Sequence, residues 1–83
     1  MEPGIFRRSA INAMRDQAMS DKTKAETSLI VMLDHPAGIG DHSTGDLHNN
    51  LNEALSSLAD ADDRLEALQR FTNELDARRN YQH

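Results

Sequence analysis

Leucine and alanine recur along the second half of the chain at a spacing that brings them onto one face only if the backbone is helical. With Leu51 taken as heptad position a, the a positions are Leu51, Leu58, Leu65, Thr72 and Arg79, and the d positions are Leu47, Ala54, Ala61, Leu68 and Leu75. Leu55 and Phe71 widen this stripe on its e and g flanks. No Gly or Pro interrupts Leu47 to His83, and positions b, c and f carry Glu53, Asp60, Asp63, Glu66 and Glu74 against Arg70. The pattern predicts one amphipathic helix with a wet, acidic outer face. Asp60 with Arg64, Glu66 with Arg70 and Glu74 with Arg78 add acid-before-base spacings of four, each worth about 0.3 kcal/mol when formed.

The first half carries a thinner version of the same signal. Ile11, Met14, Ala18, Ala25, Leu29 and Met32 fall at helical spacings, and Ile5 to Asp34 contains neither Pro nor Gly. Asp21 and Lys22 stand where the stripe should continue, and Thr23-Lys24-Ala25-Glu26 has the form of a capping box. The expectation is therefore a helical arm over about 5–34, either bent near Ser20 to Lys22 or broken there into two. Pro36 disfavours helical geometry at His35 and ends the arm.

Residues of about 35–45 form the predicted reversal, and a second arm follows over about 46–79 with a short C-terminal tail. Gly38, Gly40 and Gly45 are expected to supply positive φ angles in that reversal. Ser43 three residues before Asp46, or alternatively Asp41, supplies the cap of the second helix. Folding about this turn predicts Leu33 near Leu47, Leu29 near Leu51 and Ala25 near Leu55. Bulky Leu29, Ile30, Met32 and Leu33 would then face a seam narrowed by Ala54 and Ala61. The predicted fold is all-α, a single antiparallel helical hairpin with coiled-coil-like packing.

Composition narrows the function rather than the fold. Of 83 residues, Leu, Ile, Val and Phe make up 16, so the core is small and the Leu55/Phe71 flank calls for a second copy or a larger partner. A net charge of −5 argues against a nucleic-acid or anionic-membrane binder, because such affinity comes from clustered Lys and Arg. Arg7, Arg8 and Arg15 form the basic cluster of the first half, suited to an acidic neighbour such as the second half of another copy. The chain has no Cys, and its longest apolar run, Leu29 to Leu33, is far short of a membrane span. No secretory leader is evident at the start, so an intracellular protein is expected.

The turn holds the candidate chemistry. His35, His42 and His48 lie close in sequence to Asp34, Asp41 and Asp46, and histidine with carboxylate is a zinc-ligand set. The spacing fits no metal signature. The simpler expectation is that the Asp residues cap the helix and the His residues bond locally or face water, leaving the chain without metal or cofactor. Gly38-x-Gly40 follows a helix rather than a strand and has Asp41 where an anion would approach, which argues against a phosphate loop. Ser43, His42 and Asp41 contain the residue types of a hydrolytic triad, but neighbours in one turn do not converge as nucleophile, base and orienter. No catalytic residues are expected.

Leu33-Asp34-His35-Pro36-Ala37-Gly38-Ile39-Gly40-Asp41-His42, followed by an acidic Leu-rich helix, resembles the turn of small uncharacterised proteins of tailed phages of marine bacteria. The resemblance spans about residues 29 to 75. It implies a virion-associated or accessory protein, located in the host cytoplasm or the virion, and assigns no activity to any residue. The function expected from the sequence is a non-catalytic structural or protein-interaction module that self-associates or docks on a larger assembly. The alternatives are a small regulator of a host or viral enzyme and a metal- or pH-responsive turn. Interaction is expected through Leu47, Leu51, Leu55, Leu58, Leu65, Leu68, Phe71 and Leu75, with His35, Pro36, Gly38, Gly40, Asp41 and His42 shaping the turn. If the heptad carries the packing, Leu58→Asp or Leu65→Asp abolishes helicity in circular dichroism or assembly as read by mass, whereas Asp63→Ala on the outer face shifts stability by no more than about 0.5 kcal/mol.

Overall fold

The computed structural model describes residues 3–35 and 44–81, and these form two antiparallel α-helices, α1 (Pro3–Asp34) and α2 (Thr44–Tyr81). Pro3 opens α1, a position where its fixed φ fits and its missing N–H costs nothing. The main-chain N–H of His35 donates to the Val31 carbonyl at 2.9 Å and completes the last turn. Asp46 places a negative charge in the first turn of α2, where the helix dipole favours it. The helices make a rod of 63 × 23 × 15 Å with a radius of gyration of 18.5 Å, where a compact chain of this length would have about 12 Å.

The core of this rod is alanine. Among the described residues the buried apolar side chains are Ala18, Ala25, Ala54 and Ala61, with Ala61 at 0% exposure, and no large side chain is fully buried. In α2 the half-buried residues are Leu47, Leu51, Leu58, Leu65, Leu68, Thr72 and Leu75, which together with the two alanines reproduce the heptad a and d positions. In α1 the half-buried Ile11, Arg15, Lys22, Leu29 and Met32 alternate by four and three with Ala18 and Ala25, a matching heptad, with Ala10 and Asp21 half-buried at its sides. Small side chains every seventh residue leave a trough in each helix, and the leucines straddle the trough instead of meeting head-on.

Of the two forms expected for the first arm, the unbroken one is observed, and the expectations for Asp21 and Lys22, Thr23 and Met14 are corrected. The helix runs without a break through Ser20 to Lys22. Asp21 and Lys22 continue the seam because each pairs with a charge on α2. Thr23 does not cap a second helix, since its Oγ1 donates back to the Met19 carbonyl at 3.1 Å within the continuous one. Met14, expected in the stripe, is exposed; its neighbour Arg15 occupies the seam position, with Nη1 turned to Asn12 Oδ1 at 3.1 Å.

The register also differs from the expected one. Lys22 pairs with Asp62 and Asp21 with Arg64, which slides α2 about one helical turn beyond the pairing of Leu29 with Leu51. The slide sets Leu58 level with Ala25, Leu65 with Ala18 and Leu29 with Ala54, so large side chains lie level with small ones. Seam fit therefore overrides the length of the connection in fixing the alignment. The ends at Pro3 and Tyr81 come out flush, while α2 overhangs α1 at the other end by more than a turn. Gly45, expected in the reversal, lies in the first turn of α2. Pro36, Gly38, Gly40, Asp41, His42 and Ser43 lie outside the described residues, as do the positive φ angles expected of Gly38 and Gly40.

Thr72 brings a hydroxyl into the apolar seam at no cost in lost hydrogen bonds, because its Oγ1 donates to the Gln69 carbonyl at 2.9 Å. The seam's tolerance is set by volume. Ala61→Leu is expected to destabilise the hairpin by about 1–3 kcal/mol through overpacking, and Ala59→Leu on the exposed face by no more than about 0.5 kcal/mol, as read from urea unfolding midpoints.

Candidate interaction surface

Between the helices the polar contacts cluster at one level, about midway along the rod. Arg64 donates from Nη2 to Asp21 Oδ2 at 2.8 Å and from Nε to Asp60 Oδ2 at 3.0 Å. Gln17 Nε2 donates to the other oxygen of Asp21 at 3.0 Å, and Lys22 Nζ lies 3.1 Å from Asp62 Oδ1. Hydrogen bonds from Arg64 and then Gln17 hold the Asp21 carboxyl below its ordinary value, and the hydrogen bond to Asp62 raises Lys22. These groups are half-exposed, so their contribution lies in selecting one alignment more than in adding stability. Of the expected pairs along α2, Asp60 with Arg64 forms, while Glu66 with Arg70 and Glu74 with Arg78 do not close among the described residues.

Beside this clasp lies a shallow groove of about 510 Å³, lined by Asp21, Lys24, Ser28, Ser57, Asp60 and Arg64 among others. It is open to solvent, and Asp21, Asp60 and Arg64 already partner one another, so it does not exclude water as a reacting site must. No described group of three or more His, Asp or Glu side chains is placed to hold a metal ion. His35 and His48 are exposed, and His42 lies outside the described residues.

What the hairpin leaves open is apolar. Of the side chains expected to mediate interaction, Leu47, Leu51, Leu58, Leu65, Leu68 and Leu75 are half-buried between the helices, whereas Leu55 and Phe71 are about half exposed. Ile5, Phe6, Met19, Ile30, Val31 and Leu33 join them at the surface, with Leu33 reaching 65% exposure. Ile30 and Leu33 are among the residues that the sequence placed facing the seam, and Val31 lies between them. A two-helix seam built on alanine is too narrow to cover them, and only Leu29 and Met32 of that run are half-buried.

Heptad geometry places Phe6 on the outer face of α1 and sorts the others into two flanks. Met14 and Phe71 share the flank of the Asp21–Arg64 pair, while Ile5, Met19, Leu33 and Leu55 occupy the opposite one, with Ile30 beside it. The clasp itself was not foreseen from the sequence. Its signal was present in Asp21-Lys22 and Asp62 to Arg64, charges of opposite sign at matching points of two facing heptads. No helix among the described residues is long and apolar enough to cross a membrane. No known protein family, curated protein or solved structure matches the chain.

The lowered Asp21 value gives a direction to acid titration. Stability from this carboxylate is full above its unfolded value near 3.8 and is lost as pH falls through the lower folded value. In thermal melts Asp21→Asn is accordingly expected to melt below the parent at pH 7, and the gap to close as pH drops below about 4.

Proposed function

We propose that this chain is a non-catalytic interaction or structural module that docks on protein through its exposed apolar flanks. The observation that carries this reading is the imbalance between core and surface. Among the described residues four alanines are buried, while Ile5, Phe6, Met14, Met19, Ile30, Val31, Leu33, Leu55 and Phe71 stand about half exposed or more. Fully burying a large apolar side chain contributes about 1.5–3 kcal/mol, and these half-exposed ones offer a partner a part of that each. The resemblance of the turn to small phage proteins favours an accessory or virion-associated role for such a module. A small regulator of another protein would use the same flanks and would be monomeric until its target is present.

Size-exclusion chromatography with light scattering tests the reading. The parent is expected to assemble, alone or with a protein of its own source. Ile30→Ser with Leu33→Ser is expected to keep the helicity and melting temperature of the isolated hairpin while losing that assembly, because both side chains lie outside the seam. A double variant that assembles as the parent does removes the reading.

A further inference from the structure

We infer that the flank carrying Met19 binds a second copy of this chain in antiparallel orientation, giving a two-fold-symmetric four-helix assembly. The inference rests on the docking role proposed above and names its partner. Along this flank of α1 the heptad row reads Ile5, Asn12, Met19, Glu26, Leu33, so apolar and polar positions alternate symmetrically about Met19. Ile5, Met19 and Leu33 are all about half exposed or more. A row that reads the same in both directions is self-complementary under a two-fold axis. With the axis at Met19, Ile5 of each copy meets Leu33 of the other, Met19 meets Met19, and Asn12 meets Glu26. Ile30 lies one turn from Leu33 and broadens each end contact.

The charge along the rod selects this orientation over a parallel one. Six of the nine basic residues, Arg7, Arg8, Arg15, Arg70, Arg78 and Arg79, belong to the described segments at the open end, against Glu74 and Asp76. Residues 30–35 and 44–50, at the turn end, contain Asp34 and Asp46 and no Lys or Arg. Among the described residues, Arg7, Arg8, Arg15, Arg70 and Arg78 form no ion pair within the hairpin. A parallel pair sets like ends together, and the ends of a 63 Å rod are too far apart for either to relieve the other across a screening length of about 8 Å. An antiparallel pair sets basic ends on acidic ends. The broad face, 63 Å long and 23 Å wide, is large enough in outline for the roughly 800 Å² per partner that a standard interface buries.

Because the chain has no cysteine, single-cysteine variants read the arrangement directly. Light scattering on the parent is expected to give twice the 9.3 kDa chain mass, falling toward one chain as salt is raised. Under a short bismaleimide cross-linker, Met19→Cys is expected to link to itself, and Ile5→Cys to link to Leu33→Cys in a mixture. Leu33→Cys alone is expected to stay unlinked, with circular dichroism confirming parental helicity in each variant. Self-linking of Leu33→Cys without the mixed product overturns the orientation. A parent that remains one chain at millimolar concentration overturns self-association but leaves docking on a different protein open, and that role fails on its own test with Ile30 and Leu33.

Discussion

Everything about this hairpin follows from how closely two helices approach when alanine lines the seam. Ala18 and Ala25 on one helix and Ala54 and Ala61 on the other leave no side-chain bulk at the points of contact. The leucines of the heptad are consequently displaced to the sides, where they are half-covered instead of enclosed. A wider seam filled by leucine in both helices would bury more apolar surface per residue and present less of it outside. The narrow seam does the reverse, and the exposure of Ile30, Leu33, Leu55 and Phe71 is its direct result. Stability within the rod and availability at its surface are two readings of one packing choice.

The second arm was legible in the sequence nearly residue by residue. Its a and d positions from Leu47 to Leu75 are the ones the structure covers, because a strict seven-residue repeat of Leu and Ala admits one helical face and no other. The first arm was less legible. Its seam contains Arg15 and Lys22, and a rule that looks for apolar residues treats charges as interruptions. Long basic side chains can lay their methylene stems along an apolar seam while the charged end reaches the edge. Lys22 meets Asp62 there, a partner forty residues away that no local pattern announces.

The alignment of the two arms was the part that hairpin reasoning misplaced. Counting back from the turn assumes that the helices leave it at equal heights. The observed register instead matches large against small side chains and carboxylates against cations, leaving α2 to overhang. The candidate surface was legible in part for a similar reason. Leu55 and Phe71 lie outside a and d and were visible as a flank, but Ile30 and Leu33 sit in an apolar run and were expected to face the seam. Their exposure depends on how much of α1 the partner helix spans, a property of the seam's width.

The repeat of seven has a further consequence for the clasp formed by Asp21, Lys22, Asp62 and Arg64. Both troughs carry alanine at the same interval, so shifting one helix by a heptad, about 10.5 Å, still sets Leu65 level with Ala25 and Leu29 level with Ala61. Apolar packing by itself is thus nearly degenerate, like two rulers whose marks coincide at every division. The charges break that degeneracy, because a one-heptad shift separates each cation from its carboxylate. Four partly wet side chains that add little to the strength of the rod decide which of several equivalent rods is built.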